Sequence, residues 1–373
     1  MPNTLDDLMP KILARGLQRL RNRLVMPTAV NRDFSPDPAQ RGAVINVPVP
    51  PTVGTRPVSP GVTPAPAPDI TETTVPIVLD QWYEAPIAFT DKERLETIDE
   101  SVNMAIDAAI DALAERVNAS IFGLYKEVYE FVGTPGQTPF QTDYKLATAA
   151  RKILNRNKAP LANRRLVIDP DAEENATNLA QFADSSFSSD NGVIIEGEIG
   201  RKVGFDWIMD QQVPTHVAGM LSDGTVSGNH AAGATTVTIA STAGGTLKAG
   251  DIITFAGHEQ TYAVVGDVTI SASGSAAVQI TPALQAPVAA SSAVTLKGTH
   301  VVNLAFHRDA FAIAIRPFRQ PASDARVLTM VDPQTNLPLR LEVSRQNKQD
   351  YWSFDLLWGV KAVRPELAVR IAG

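Results

Sequence analysis

The sequence predicts an α+β fold with a small β-barrel domain inserted late in the chain. Three observations carry this. Residues 91–132 repeat apolar side chains in steps of three and four, from Leu95, Ile98 and Val102 to Val128 and Phe131, which is the period of a helix. Runs rich in valine, isoleucine, threonine and aromatics stand at Arg41–Val49, Ile70–Phe89, Val301–Phe318 and Tyr351–Gly373 and read as strands. From about Val217 to Thr299 the texture changes to Ala, Gly, Thr, Ser and Val. Only six Asp, Glu, Lys or Arg fall between Ser222 and Thr299, far below the 20% of the whole chain.

Taken in order, Leu5, Leu8, Ile12, Leu13, Leu17, Leu20 and Leu24 recur at helical spacing, with Lys11, Arg15, Arg19, Arg21 and Arg23 on the remaining face. The helix packs on its own domain, or it is an arm that docks on a neighbouring subunit. Next, Val49–Ile70 holds seven prolines in 22 residues between two strand-like flanks. A linker needs no flanking strands. Strand, proline-rich tip, strand is the pattern of a projecting hairpin, whose strands lie at edges because proline cannot donate to a ladder.

The long helix opens on a capping-box spacing, Thr90 and Glu93, and ends by Gly133 and Pro135, with Gly123 an earlier possible break. Its seam is largely alanine and β-branched, so it suits one helix laid across a sheet better than a coiled coil. A short helix at Asp143–Asn155, a buried strand at Arg164–Pro170 and a helix at Asp171–Phe182 follow. In the low-charge module, short alternating runs such as "TTVTIA", "DIITFAG" and "AAVQITP", separated by glycine turns, spell a small antiparallel barrel or sandwich. Apolar runs of different texture resume at Val301, so the module interrupts a host domain. Tyr351–Gly373 reads as two strand-like runs around Gly359 and Pro365.

Composition excludes more than it assigns. A net charge of −7 is not that of a general nucleic-acid binder, and the absence of cysteine removes disulfides, thiolate nucleophiles and cysteine-based metal sites. The N-terminus lacks the basic region and apolar core of a signal peptide, and no run of about 18 apolar residues exists. "HRD" at His307–Asp309 has none of the other kinase signatures and reads as a strand end with paired side chains. "DPDAEEN" at Asp169–Asn175 lacks the glycine and the final glutamate of a calcium loop and reads as a helix start with favourable acids. "GEIGRKVG" at Gly197–Gly204 does not match a dinucleotide fingerprint. The five histidines form no metal-binding pattern, and no G-x-S-x-G string is present. No catalytic residue, cofactor or metal is expected, and the chain is not read as an enzyme.

The order of parts then matters more than any motif. It resembles the HK97-type fold of tailed-phage major capsid proteins, and particular strings are similar to the P22 coat-protein family. These are "NRDFSPDPAQRGAVINVPVP" (Asn31–Pro50), "DITETTVPIVLDQWYEAPIAFTDKERLETIDE" (Asp69–Glu100), "GEIGRKVGFDWIMDQQVPTHVAG" (Gly197–Gly219), "GTLKAGDIITFAG" (Gly245–Gly257), "NLAFHRDAFAIAIRPF" (Asn303–Phe318) and "DLLWGVKAVRPELAVRIAG" (Asp355–Gly373). The resemblance implies an N-terminal arm at 1–40, an extended loop at 41–88, a peripheral domain with its spine helix at 89–165, an axial domain begun at 166–216, the inserted barrel at 217–299, and a return to the axial and peripheral core at 300–373. The proline-dense tip departs from that pattern.

The function implied is a coat protein forming hexameric and pentameric capsomers of an icosahedral shell around double-stranded DNA. It would assemble in the host cytoplasm and reside in the virion. The implied partners are further copies of itself, a scaffolding protein, a portal protein and DNA held without sequence specificity. Arg15, Arg19, Arg23, Arg41, Arg56 and Trp82 are the candidate subunit-interface residues. An encapsulin-like shell packaging enzymes shares the fold and is the alternative. A cell-surface β-module protein would account for residues 217–299 but not for the long helix.

Overall fold

The computed structural model describes residues 5–33, 44–50, 53, 55, 60–61, 73–91, 99–183, 197–318, 326–332 and 337–373. Arg41, Arg56, Glu93 and most of the proline-rich tip lie outside the described residues.

Helix α1 (Leu5–Arg23) is followed by the single turn α2 (Met26–Ala29). Leu13, Leu17 and Leu20 of α1 are buried against α3 (Asp99–Phe122), whose inward face carries Ile106, Ile110, Leu113 and Val117. The N-terminal helix thus packs on its own domain. Its apolar stripe is covered by α3 on one side and by the strands at Arg326–Val331 and Pro338–Gln346 on the other.

The α3 helix lies across β3 (Gln81–Thr90) and β21 (Gln349–Ala362), as the alanine-rich seam implied. At 1.5 Å per residue its described span is about 36 Å. It ends at Phe122, and Gly123 opens a 3-10 turn, Gly123–Glu127. Glycine costs about 1 kcal/mol relative to alanine inside a helix, so the ladder tightens there. The apolar periodicity beyond it belongs to other elements. Leu124 lies in the turn, Val128 in the connection and Phe131 in β4 (Phe131–Val132).

The sheet against which β3 lies runs β18 (Phe311–Ile315), β21, β20 (Pro338–Gln346), β19 (Arg326–Val331), with β3 paired to β21 over ten residues. A second sheet has the order β4, β22 (Ala368–Ala372), β17 (His300–His307), β5 (Arg164–Ile168), β7 (Phe205–Met209), β6 (Arg201–Lys202), and β8 (Thr215–His216) pairs with the start of β17. Its β4–β22 and β5–β7 pairs are parallel. Helix α4 (Lys145–Arg156) packs on β22, β17 and β4. Both faces of β17 and β22 are buried, which explains their near-continuous apolar runs.

Two details differ from the sequence reading. Asp171–Phe182 is not one helix but α5 (Pro170–Thr177) and α6 (Ala180–Ala183), because the ladder tightens to an i→i−3 bond from Leu179 N–H to Ala176 C=O. Gly359 does not separate two strands: β21 runs through it, and the chain turns only at Pro365, which opens a 3-10 turn before β22. The reason for that glycine is a close crossing, described below. "HRD" is a 3-10 turn, Arg308–Ala310, between β17 and β18, with His307 Nδ1 accepting the Asp309 N–H. "DPDAEEN" is the acidic first turn of α5.

Between β8 and β17 the chain forms a separate all-antiparallel unit. Its order is β16 (Val294–Leu296), β12 (Ile252–Phe255), β13 (Tyr262–Val264), β15 (Gly274–Thr281), β10 (Thr236–Ser241), β9 (Thr225–Val226), with β11 (Gly245–Leu247) paired to β14 (Val268–Ile270). Its core of Val237, Ile239, Phe255, Tyr262, Val278 and Ile280 is distinct from the host core. Short strands with uncharged alternation build such a unit because each needs only one apolar face.

Candidate assembly surfaces

The arginine stripe of α1 is set by its helix packing. Gly16 lets α1 approach α3 closely, since a Cβ there would stand 2.8 Å from Ile110 Cδ1. Arg15, Arg19 and Arg23, four residues apart, then face Asp107 and Asp111, also four apart. Arg15 Nη2 reaches Asp107 at 2.7 Å, Arg19 grips Asp111 through Nε at 2.8 Å and Nη2 at 2.7 Å, and Arg23 stands 3.5 Å from Asp111. The Arg19 hydrogen bond holds the Asp111 carboxyl below its ordinary range and raises the guanidinium in turn. Three cations thus meet two carboxylates along a shallow recess lined by Arg15, Gln18, Arg19, Arg23 and Asp107. Exposed pairs of this kind contribute roughly 0–1 kcal/mol each. Arg15 and Arg23 keep more than half of their side-chain surface exposed.

Trp82 belongs to a different surface. It is 60% exposed on β3, yet it is held by two contacts that Arg340 braces in turn. Its Nε1–H donates to Asp355 Oδ2 at 3.0 Å, and its ring lies 5.2 Å from that of Phe318. Arg340 stacks its guanidinium 4.4 Å from the Phe318 ring and donates through Nε to Asp355 at 2.7 Å. An exposed tryptophan fixed this way loses little rotamer freedom on being covered, which suits an interface anchor. Sequence reading singled out Trp82 alone. Phe318, Arg340 and Asp355 come from three other parts of the chain, and no local signal joins them.

The hairpin predicted around the proline-rich tip is present at its base. Strands β1 (Val44–Val49) and β2 (Thr73–Val78) pair antiparallel in full register, Val44 opposite Val78 and Val49 opposite Thr73. Ile45, Val47, Ile77 and Leu79 are buried with Ala312 and Ala314 of β18, forming a cluster that seats the hairpin on the body. Gly359 of β21 lies directly beneath: a Cβ there would fall on the Val78 carbonyl oxygen, with Leu79 Cα 3.2 Å away. Of the candidate interface residues, the described ones therefore form two separate places, the α1 stripe and the Trp82 ladder.

Sequence reading also missed a buried polar group where the inserted unit meets its host. Tyr125, His216, Asp251, His300 and Arg370 converge there, all nearly or fully buried. An arginine inside the apolar run "LAVRIAG", and histidines at both edges of the low-charge segment, were the available signals. Among the described residues no group of three or more His, Cys, Asp or Glu is arranged to hold a metal ion. No helix among them is long and apolar enough to cross a membrane.

No protein-family model matches this sequence, and no curated protein matches it. Solved structures do. A chain from a structure of Mycobacterium phage Che8 is 15% identical, with 93% of this chain and 90% of that one covered at a TM-score of 0.51. A chain from the capsid structure of the cyanophage P-SCSP1u is 13% identical, with 94% of this chain and 88% of that one covered at a TM-score of 0.52. At such identities the likeness is one of fold, and it extends over nearly the whole chain.

Proposed function

We propose that this chain is a major capsid protein of a tailed bacteriophage or prophage, with many copies assembling into hexameric and pentameric capsomers of an icosahedral shell around double-stranded DNA. One observation carries the reading: a fold shared over 94% of the chain with a chain of a phage capsid structure. The parts also suit it. Residues 1–40 are the arm, 41–88 the extended loop, 89–165 the peripheral domain, and 166–216 with 300–373 the axial and peripheral core. Residues 217–299 are the inserted barrel. The ends of its strand path meet through Val226 N–H to Ser292 C=O and Val294 N–H to Gly224 C=O, both 2.9 Å, which favours a closed barrel. Many modest interfaces would sum through multivalency. Scaffolding and portal proteins are the partners, and the P22 coat-protein family is the subfamily proposed.

Expression of the chain with a candidate scaffolding protein, followed by electron microscopy of the high-speed pellet, tests this. Closed shells or rings of five and six subunits are expected. Monomers alone at high concentration would overturn it.

The proline-rich loop reaches over an adjacent subunit. Proline limits the unfolded freedom of a segment with little core of its own and blocks stray strand pairing. Deleting Pro50–Pro68 is expected to reduce shell yield severely while leaving the monomer's melting midpoint nearly unchanged. Normal, equally stable shells would refute that role.

The α1 stripe contacts a scaffold or a neighbour. The combined change of Arg15, Arg19 and Arg23 to Ala is expected to lower assembly yield, most strongly at low salt where charge is least screened. Replacing Asp107 and Asp111 by Asn keeps the arginines and should leave assembly largely intact. Equal loss in both variants would assign the stripe to intrachain stability instead.

A further inference from the structure

The inserted unit is joined to its host by two chain crossings, and both carry a histidine. His216 ends β8 before the unit, and His300 begins β17 after it. The two stand directly opposite each other in antiparallel register, with ring centroids 5.4 Å apart. Around them lies a chain of buried polar contacts linking the unit to the end of the long helix and to the C-terminal strand. His216 Nε2 lies 2.8 Å from Asp251 Oδ1, and its Nδ1 lies 3.0 Å from the Tyr125 hydroxyl. A carboxylate only accepts, so Nε2–H donates to Asp251. Asp251 also accepts the Lys248 N–H at 2.7 Å and the Gly219 N–H at 3.1 Å. Arg370, fully buried in β22, donates to the Gly250 carbonyl at 2.7 Å and stacks 5.0 Å from the Tyr125 ring.

His300 is the group in this set with nowhere to put a second proton. Its Nδ1–H donates to the Gly298 carbonyl at 2.8 Å. Its Nε2 is buried and has no partner among the described residues. The Phe131 ring meets it edge-on at 5.1 Å, and the charged or titratable groups acting on it are Arg370, His216 and Asp251. A proton added at Nε2 would create a buried N–H with no acceptor and a second cation near Arg370, with Asp251 the one carboxylate among these neighbours.

We propose that this junction is an acid-released latch: proton uptake at His300 frees the inserted unit from its host while both cores stay folded. Two observations make the release local. The unit and the host have separate apolar cores, and among the described residues a small cluster of Phe131, Ile252, Ala263 and Ala372, with Tyr129 alongside, joins them. The polar set crosses the same junction, together with the Thr261 hydroxyl bond to the Tyr129 carbonyl at 2.6 Å.

The pH window follows from His300. Burial lowers it from the ordinary 6.5 to about 4 in the closed state. A base depressed in the closed state takes up its proton only when released. The latch is therefore fully effective above pH 6.5 and weakens as pH falls from there toward 4. At pH 5 this single group shifts the opening equilibrium about thirtyfold relative to pH 7.5.

Amide hydrogen exchange of the full chain at pH 7.5 and pH 5, corrected for intrinsic exchange chemistry, tests the proposal. Protection at Gly219 and Lys248 is expected to fall about thirtyfold, while Ile239, Val278 and Leu304 in the two cores keep theirs. His300→Phe is expected to abolish the difference at the junction. Unchanged junction protection in the wild type, simultaneous loss in both cores, or the same acid response in His300→Phe would each overturn the latch. If His300→Phe does not fold, the wild-type His300 ring signal decides. A titration midpoint well below 6.5 supports the latch, and a midpoint near 6.5 overturns it.

Discussion

Gly359→Val is expected to unseat the hairpin and to abolish assembly without unfolding the body. The β21 backbone is extended at this position and Gly359 does not use a left-handed conformation. What it provides is space, because Val78 and Leu79 cross over it with backbone atoms, and backbone cannot rotate away as a side chain can. A valine there must lift the β1–β2 pair. That exposes Ile45, Val47, Ile77 and Leu79, each worth about 1.5–3 kcal/mol on burial. Exchange protection of residues 44–49 and 73–78 should be lost while that of β17 and β22 stays. Protection unchanged at the hairpin would mean the strand crossing shifts at little cost. Shells that form normally with the hairpin released would remove the extended loop from the proposed assembly.

Trp358→Ala is expected to be the most destabilising single core substitution in the body. Trp358 is fully buried where β3 and β18 both meet β21, opposite Gln81 and Ile315. Its indole N–H donates to Ser120 Oγ on α3 at 2.9 Å, and the Tyr83 ring lies 5.6 Å away. Truncation leaves a cavity beneath the long helix and costs about 3–5 kcal/mol. Trp358→Phe keeps most of the volume and loses the hydrogen bond, so its cost should be closer to about 1–2 kcal/mol. Denaturant midpoints of the two variants measure both. Equal, small losses would show that α3 collapses into the gap and is not held by this residue.

Much of the architecture was legible because it depends on local periodicity. The leucine stripe of α1, the seam of α3, the hairpin flanks and the uncharged alternation of residues 217–299 each report which face must leave water. Misreadings came where two causes leave the same letter. Glycine marks a helix end at Gly123 but a close crossing at Gly359, and only neighbours in space tell these apart. Apolar steps beyond Gly123 continue the helical count by coincidence, because Leu124 and Val128 reach the host core from a turn and a connection, while Phe131 packs with Ile252, Ala263 and Ala372 from a strand.

The candidate surfaces divide in the same way. Arg15, Arg19 and Arg23 were visible as a charged face, since their spacing is a helical one. That Asp107 and Asp111 oppose them was not, because ion pairing between helices depends on how α1 and α3 dock, and so on Gly16. Trp82 was visible as an aromatic in a strand, but its anchoring by Phe318, Arg340 and Asp355 is a product of sheet order.

The sequence sets the inventory: most of the segments that become helix or strand, the low-charge stretch of short alternating runs, and a chain without cysteine. The tertiary structure decides which polar groups lose water together. Tyr125, His216, Asp251, His300 and Arg370 are unremarkable apart, and each would be solvated in isolation. Burial brings them within a few ångströms of one another in a medium of low polarity, where a missing acceptor or an added proton carries a cost that water would erase.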